Sequence, residues 1–400
     1  MMEKRKVLFL IHTLGGGGAE KALVNLVKAL PSNRWDITVE TVIDTGRYRR
    51  ELPSYIEYRS MISLPMLSNQ EKKNDSGSLL ATRSPFKLML VKAYTSFWRV
   101  MPAKLLYRWA SGSRHYDNVI AYLEGITTKI VSGCDDSTTH KAAWVHVDLS
   151  IQEKAHAVYH SQADELAAYD RFDRIVCVSD YVAETFTAMF GRVSEKVTVC
   201  HNILDADEVS ELSYLDSQIS RRDQDVVNVV SVGRLNWQKG YDRLLEAIAS
   251  VKSRGVANFH VDIIGTGTAR EQLEEQLHGL YLEDNVNFIG YLDNPYPYIA
   301  HADLFVAPSR TEGLSTVVAE AIALGCPVLA TDCSGMRELL GDSNAGLIVP
   351  NTVEGIADGL TVLLGNTDEL VTLGARAKLA GNPLTASRGV REFEEAVSDR

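Results

Sequence analysis

The sequence predicts an α/β protein built from two doubly wound parallel sheets. Short apolar runs rich in β-branched residues alternate with amphipathic helical patterns along the whole chain. The alternation forms two series, which are separated by a polar stretch at residues 205–225 that contains RRDQD. A length of 400 residues also favours two domains over one.

The first series predicts an N-terminal domain over residues 1–204, and the second a C-terminal domain over 205–381. The expected strands of the first are residues 6–12, 35–43, 116–123, 142–146, 174–179 and 197–200. Those of the second are residues 226–232, 259–265, 286–289, 304–307, 327–331 and 346–349. Each strand of the second series except the last three is expected to be followed by a long helix, most clearly at 241–254 and 268–280. A final helix, at about 382–400, is expected to pack back on the N-terminal domain.

Ligands of such sheets bind at the carboxyl ends of the strands, so a cleft between two facing domains is the expected site. The net charge of −11 disfavours a protein that coats nucleic acid, so any anionic partner is bound locally. Five cysteines without a C-x-x-C pair indicate neither a disulfide framework nor a zinc ribbon. With no signal segment and no run of 18 apolar residues, we expect a cytoplasmic protein, either soluble or peripherally attached to the membrane.

The glycine-rich run GGGGAEKAL follows the first strand and opens a helix. Glycines at 15–18 allow a tight turn and a close approach of the backbone to a ligand, although a simple turn is an alternative. Lys21 or Glu20 stands where the dinucleotide fingerprint needs its third glycine, and Arg270 does so in GTGTAR. A nicotinamide-dependent oxidoreductase is therefore disfavoured.

Two further motifs in the second half suit a nucleoside diphosphate. VSVGRLNWQKGYDRL places Arg234 and Lys239 after a strand, where two cations would suit a diphosphate leaving group unless they are a solvated pair. PSRTEGLSTVVAEAI places Glu312 before a helix start whose N–H groups can bind oxygens. Glu320, further along that helix, could accept two ribose hydroxyls or simply face solvent.

GGGGAE, VGRLNWQKGYDRL, FIGYLD and EGLSTVVAEAIALGCPVLATDCSGMRELL together resemble glycosyltransferase family four, which has the GT-B architecture. The resemblance covers nearly the whole chain and is strongest over residues 230–350. It implies a retaining enzyme with a nucleotide-sugar donor as co-substrate and no cofactor. It also implies that Arg234 and Lys239 hold the diphosphate, that Glu312 lies by the donor sugar and that Glu320 binds the ribose. The implied donor-binding residues are Gly17, Gly18, Gly233, Arg234, Lys239, Gly290, Tyr291, Leu292, Glu312, Gly313, Leu314, Ser315, Thr316 and Glu320, with residues 290–292 beside the base.

IAYLEGITTKI and AAWVHVDL resemble the N-terminal domains of bacterial members that build capsular, exopolysaccharide or lipopolysaccharide chains. Glu124 and His146 follow predicted strand ends, and the resemblance places Glu124 on the acceptor side. His146 would orient the donor sugar or support developing positive charge, although a structural role is equally open. Together with Glu312, Arg234 and Lys239 it forms the implied catalytic set. The order His146, Val147, Asp148 differs from the His-Asp of some members.

Metal chemistry is not expected. Asp205-Ala206-Asp207 and Asp223-Gln224-Asp225 spell D-x-D, but both lie at or in the polar stretch, and chance explains them. His156 and His160 are spaced as a pair on a helix surface without a third ligand. The predicted reaction therefore needs no divalent metal.

Residues 76–116 contain no acidic side chain, and residues 83–114, here called the basic–aromatic segment, are typical of an interfacial membrane helix. Its cations are Arg83, Lys87, Lys92, Arg99, Lys104, Arg108 and Arg114, and its aromatic residues are Phe86, Tyr94, Phe97, Trp98, Tyr107 and Trp109. The alternative is that these aromatic side chains pack onto the N-terminal sheet. No motif for nucleic-acid binding accompanies the segment.

The sequence as a whole favours a retaining hexosyltransferase with a UDP-linked rather than GDP-linked donor. The expected acceptor is a lipid-linked saccharide or an oligosaccharide at the inner membrane face, in bacterial surface polysaccharide synthesis. The alternatives are a sugar-nucleotide epimerase of the same architecture and a non-catalytic nucleotide-sugar-binding subunit.

Overall fold

A computed structural model describes residues 3–63, 85–215, 226–341 and 344–398, with the backbone alone at 85–91, 153 and 154. It divides into two compact units, the first formed by residues 1–203 with 386–400 and the second by residues 204–385. The predicted domain boundaries lie one residue and four residues from these.

The first unit contains a seven-stranded parallel sheet in the order β3-β2-β1-β4-β5-β6-β7. Its strands are β1 (Arg5–Ile11), β2 (Trp35–Ile43), β3 (Glu57–Ile62), β4 (Asn118–Ala121), β5 (His140–Val145), β6 (Arg174–Cys177) and β7 (Val197–Val199). Its helices are α1 (Gly18–Ala29), α2 (Pro85–Val100), α3 (Ala103–Ser111), α4 (Ile126–Val131), α5 (Glu153–His156), α6 (Gln162–Tyr169), α7 (Asp180–Met189) and the C-terminal α16 (Ala386–Ala396), with 3-10 turns at Arg47–Glu51 and Gly191–Lys196.

The second unit contains a six-stranded parallel sheet in the order β10-β9-β8-β11-β12-β13. Its strands are β8 (Val227–Val232), β9 (Phe259–Ile264), β10 (Val286–Gly290), β11 (Leu304–Ala307), β12 (Val328–Thr331) and β13 (Gly346–Val349). Its helices are α8 (Ala206–Ser213), α9 (Tyr241–Ser253), α10 (Arg270–Gly279), α11 (Tyr296–His301), α12 (Thr316–Ala323), α13 (Met336–Leu340), α14 (Val353–Leu364) and α15 (Thr367–Ala380), with a 3-10 turn at Trp237–Lys239.

Both sheets have the strand order of doubly wound folds, so the predicted fold class is confirmed. In each sheet the order reverses between the first strand and its neighbour, β1 with β4 and β8 with β11. The central strands are almost fully buried, which explains why they are continuous apolar runs rather than alternating ones.

The structure differs from the predicted elements in four places. The helix that follows β10, α11, has only 6 residues, where a long helix was expected. Strand β3 was not expected, and α14 is a long helix after β13, where none was expected. The polar stretch begins with a helix, α8, whose first turn is capped by the Asp205 carboxylate, which accepts from the Glu208 N–H at 3.0 Å. The remainder of that stretch, 216–225, lies outside the described residues.

Helix α16 packs in the core of the first unit. Its Phe393 is fully buried and contacts Phe9, Trp35 and Trp144, with ring centroids 5.7, 5.4 and 6.0 Å away. The helix begins at Ala386 rather than near 382 because Asn382 turns the chain, donating to the Leu204 carbonyl at 2.9 Å and accepting from the Leu384 N–H at 2.8 Å. Within the described ranges, no helix has the length and apolar character needed to cross a bilayer.

Candidate functional site

In the second unit, the chain leaving β8 brings Lys239 back to the end of that strand. The Asn236 side chain caps the 3-10 turn by accepting from the Lys239 N–H at 3.2 Å. Gly240 ends the turn at φ +69°, and a Cβ there would lie 2.1 Å from the Pro308 carbonyl oxygen. Only glycine allows this approach, so the VGRLNWQKG spacing fixes where Lys239 lies.

Lys239 and Glu312 form an ion pair at the point where the strand order reverses. The Lys239 Nζ lies 2.5 Å from Glu312 Oε1, which also accepts from the Ser309 hydroxyl at 2.6 Å. The Glu312 N–H donates to the Ser334 hydroxyl at 3.0 Å. The Glu312 side chain is only 10% exposed, so these contacts replace hydrogen bonds to water that a buried carboxylate loses.

The start of α12 lies beside this pair. Ser315 is the N-cap residue, and its buried hydroxyl has no hydrogen-bond partner among the described residues. Ser315 lines one small cavity with Lys239, Tyr241, Ser309 and Glu312. The predicted residues Gly313 and Leu314 are buried in the loop before it, and Thr316 opens the helix. A cation, a helix N-terminus and an unpartnered hydroxyl therefore meet in one place, which suits an anionic oxygen-rich ligand.

Glu320 lies one helical turn further along α12. It is half-buried and accepts a hydrogen bond of 3.2 Å from the Tyr296 hydroxyl, so it does not simply face solvent. Gly290 ends β10 at φ +91° and accepts from the Gly265 N–H at 2.8 Å. Tyr291 is 46% exposed and Leu292 is half-buried in the loop that follows.

Arg234 is placed differently from Lys239. It follows Gly233 at the end of β8, but its side chain is exposed and makes no hydrogen bond or ion pair among the described residues. Gly233 itself lies close to Lys239, since a Cβ there would be 3.4 Å from Lys239 Cδ. The structure thus brings Lys239 and Glu312 together, and leaves the Arg234 guanidinium outside the contact.

In the first unit, Glu124 and His146 meet at the carboxyl ends of β4 and β5. The backbone N–H of His146 donates to Glu124 Oε2 at 3.1 Å. Burial raises the pKa of Glu124 and lowers the pKa of His146 to about 3. The imidazole hydrogen-bonds the Tyr122 backbone, and its Nε2 has no partner among the described residues. His146 is therefore neutral at physiological pH, with Nε2 able to accept a hydrogen bond.

The glycine loop before α1 already holds a carboxylate of this chain. Gly17 is the N-cap residue, and a Cβ there would lie 2.2 Å from Glu20 Oε2. Glu20 at the third helical position thus folds back over the helix start, as in a capping box. The Glu20 carboxylate therefore lies against the loop through which Gly17 and Gly18 were expected to bind the donor, and that binding stays a prediction.

The basic–aromatic segment is partly core and partly surface. Trp98 is buried, and Tyr94 hydrogen-bonds His12 at 2.9 Å. Four apolar side chains are exposed by 42% to 72%: Phe97, Val100, Leu105 and Trp109. Three of its cations bind other groups of the first unit. Arg99 donates to the Ala157 carbonyl, Lys104 pairs with Asp135 and Arg114 pairs with Glu57. Lys92 and Arg108 are exposed, whereas Arg83 and the side chains of Lys87 and Phe86 lie outside the described residues.

Comparison with known families finds one similarity, in the second half of the chain. Residues 215–380, about two fifths of the chain, match the family model "Glycosyl transferases group 1". The match lies within the second unit. This agrees with the resemblance read from its motifs, and Lys239, Glu312 and Glu320 all lie within the match.

Individual proteins are also similar to this chain, over stretches of different length. An uncharacterized glycosyltransferase of Haemophilus influenzae is 30% identical over 168 residues, 42% of this chain and 47% of that protein, so the chain spans about half of its length. A Campylobacter jejuni protein is 25% identical over 346 residues, 86% of each chain. It is named N-acetylgalactosamine-N,N'-diacetylbacillosaminyl-diphospho-undecaprenol 4-alpha-N-acetylgalactosaminyltransferase.

Among solved structures, Anabaena Alr3699/HepE in complex with UDP and glucose is similar over 99% of this chain and 100% of its own. The TM-score is 0.70 at 20% sequence identity. At this identity the likeness shows the fold alone, and it confirms the predicted two-sheet GT-B architecture.

No cluster of three or more metal-binding side chains occurs in the part of the chain that the structure describes. Asp205 is the cap of α8, while Asp223 and Asp225 lie outside that part. His156 and His160 do not share a helix, because α5 ends at His156. His156 instead contacts Glu165 at 2.5 Å and the Leu149 carbonyl at 2.7 Å, so the expected surface pair is wrong.

Sequence reasoning missed three residues of the second unit that contact Glu312 or Glu320: Ser309, Ser334 and Tyr296. Ser309 precedes Glu312 by three residues in PSRTEG, so the motif itself carried the signal. Ser334 and Tyr296 lie 22 and 24 positions from the glutamates they contact. No local pattern connects such positions.

Proposed function

We propose that this protein is a retaining glycosyltransferase that moves a sugar from a UDP-linked donor to a lipid-linked saccharide, for a bacterial surface polysaccharide. The observation that carries the proposal is the Lys239–Glu312 pair beside the start of α12, at the carboxyl ends of β8 and β11. Doubly wound sheets bind nucleotides at this point of the fold.

The donor diphosphate would bind Lys239, the first N–H groups of α12 and the Ser315 hydroxyl. Negative charge grows on the diphosphate as the bond to the sugar breaks, and a fixed ammonium in a poorly hydrated site stabilises that charge most. Glu320, held by Tyr296, would accept the ribose hydroxyls. Arg234, whose side chain makes no hydrogen bond or ion pair among the described residues, could turn toward the outer phosphate.

Glu312 has a separate role in this scheme. When the diphosphate engages the Lys239 ammonium, the Glu312 carboxylate shares that cation with the ligand. The carboxylate can then stabilise positive charge that develops on the donor sugar. The acceptor oxygen would attack from the face that the phosphate leaves, and the departing phosphate oxygen would take the acceptor proton. No metal ion and no enzymic nucleophile is needed for this sequence of steps.

His146 would act in its neutral form. A pKa near 3 makes the imidazole a poor proton donor and a poor cation at physiological pH. Its Nε2 can instead accept a hydrogen bond from a sugar hydroxyl and so orient the donor sugar. Of the two roles that the resemblance implied, this favours orientation over support of positive charge.

The acceptor is proposed to be lipid-linked for two reasons. The name of the Campylobacter relative specifies an undecaprenol-diphosphate-linked acceptor. The first unit also exposes Phe97, Val100, Leu105 and Trp109 with Lys92 and Arg108, a composition suited to an anionic lipid surface. Glu124 is proposed to contact the acceptor.

The transfer assay that tests the proposal uses purified protein, a panel of UDP- and GDP-sugars and a diphospho-lipid-linked saccharide. We expect a product whose new linkage has the anomeric configuration of the donor, formed without added divalent metal. Epimerised donor in the absence of acceptor would instead favour an epimerase. Donor binding without any product would favour a non-catalytic subunit.

The membrane proposal is tested by flotation with vesicles of neutral lipid, with and without anionic lipid. We expect the wild type to float with anionic vesicles and Trp109→Ala to lose much of that binding. Tyr281→Ala, which removes an 81% exposed aromatic side chain from the second unit, is the control and should float as the wild type does. Equal flotation of both variants would contradict the role of the basic–aromatic segment.

A further inference from the structure

Two ion pairs of opposite sense join the loops that carry Lys239 and Glu312. Lys239 of the first loop (residues 233–242, which ends in the first turn of α9) contacts Glu312 of the second loop (residues 308–313). In the opposite direction, Arg310 of the second loop contacts Asp242 of the first. This second pair is bidentate, with Arg310 Nη1 2.8 Å from Asp242 Oδ1 and Nη2 2.6 Å from Oδ2.

The Arg310 residue makes further contacts around the 3-10 turn that ends at Lys239. Its Nη1 donates to the Trp237 carbonyl at 2.7 Å, and its guanidinium lies over the Trp237 ring, 5.0 Å from the centroid. Its backbone N–H donates to the Gln238 carbonyl at 2.8 Å, and the Gln238 amide donates to the Thr311 carbonyl at 3.1 Å. These contacts hold the chain on both sides of Lys239.

The Arg310–Asp242 pair is sheltered enough to keep this geometry. Its side chains are 19% and 34% exposed. Burial alone would raise the pKa of Asp242, but the hydrogen bonds and charge of Arg310 outweigh this and leave the pKa below its usual value. Asp242 is therefore ionised at neutral pH, and a planar guanidinium fixes its orientation in a way that a lysine ammonium does not.

We propose that Arg310 and Asp242 are a positioning pair, which sets the place of Lys239 relative to Glu312 without touching the donor. This inference rests on the proposed function, in which Lys239 binds the donor diphosphate. When that ligand competes for the Lys239 ammonium, the Lys239–Glu312 contact becomes a weaker link between the two loops. The Arg310–Asp242 pair then keeps the two loops at the same distance from each other.

Displacing a group at a reacting centre by about 1 Å can lower a rate by about 100-fold. We therefore expect Arg310→Ala to lower kcat by about 100-fold and Asp242→Asn by at least 10-fold. Arg310→Lys, which restores the charge but not the bidentate geometry, should recover part of the loss. The matched control is Arg254→Ala, which removes a 2.7 Å ion pair with Asp358 in the same unit and should leave kcat within twofold.

Isothermal titration with UDP and GDP separates positioning from misfolding. The binding stoichiometry gives the fraction of competent protein, so kcat is expressed per binding site, and circular dichroism confirms the fold. A value of kcat per site within twofold of the wild type in both Arg310→Ala and Asp242→Asn would overturn the inference, even if the variants unfold at lower temperature. A wild type that binds neither nucleotide would instead overturn the proposed function, and this inference with it.

Discussion

Truncation of Phe393 is expected to destabilise the first unit strongly, although this residue lies near the end of the chain. Phe393 is fully buried and contacts three aromatic rings at 5.4 to 6.0 Å. Phe→Ala changes at such positions cost about 3–5 kcal/mol, from lost burial and the cavity left behind. Since domains are stable by about 5–15 kcal/mol, we expect Phe393→Ala to remove a large fraction of the stability of this unit.

Tryptophan fluorescence during urea unfolding measures this effect in the first unit. Four of the five tryptophans belong to that unit, and three of them, Trp35, Trp98 and Trp144, are buried. Trp237 of the second unit is 65% exposed and adds little to the signal. Arg391→Ala changes an exposed residue of the same helix and should stay within about 0.5 kcal/mol of the wild type. A loss below about 1 kcal/mol for Phe393→Ala would refute the packing of α16 described above.

Three further predictions concern titration and binding. Glu392 receives bonds from His201 and Arg388 that outweigh burial and lower its pKa to about 2, so its contribution to stability is present above about pH 4.5 and lost as the pH falls toward 2. In urea unfolding at pH 6, the free energy of unfolding of the wild type should exceed that of Glu392→Gln by about 1–2 kcal/mol, a figure that allows for solvent screening. The same difference at pH 3 would contradict this prediction. His146→Gln should lower kcat yet leave the shape of the pH–rate profile between pH 5 and 8 unchanged, whereas loss of a limb near pH 6.5 would show that His146 titrates there. Glu320→Ala should weaken UDP binding about tenfold by calorimetry, and an unaltered affinity would exclude contact with the ribose.

The fold was predictable because buried parallel strands are continuous apolar runs, and the two predicted series of strands are present. Strand β3 was not predicted because its sequence, EYRSMI, is largely polar, as suits a strand at the edge of the sheet. Helix α14 was not predicted because the glycines at positions 355 and 359 lower the helix propensity of its sequence. The structure shows why both are there: a Cβ at Gly355 would lie 2.3 Å from the Pro350 carbonyl oxygen, and one at Gly359 would lie 2.7 Å from the Leu329 side chain.

The candidate site was predictable as a set of positions but not as a set of contacts. The motifs located Lys239 and Glu312 individually, yet 73 residues separate them, and only the folded sheet brings β8 beside β11. The glycine loop before α1 shows a second limit of prediction from sequence. Its sequence allows a close approach of the backbone to a ligand, but only the folded chain shows that the Glu20 carboxylate lies over the helix start.

The most direct test of the central claim is a thermal-shift panel of UDP, GDP, ADP, CMP and NAD on the wild type and Lys239→Ala. A ligand at 100 times its dissociation constant stabilises the folded state by about 2.7 kcal/mol, which is a readily measured shift. We expect UDP, or else GDP, to raise the Tm of the wild type, with NAD inactive and the shift much reduced in Lys239→Ala. Stabilisation by NAD alone, or an equal UDP shift in both proteins, would contradict the assignment of a diphosphate site at Lys239.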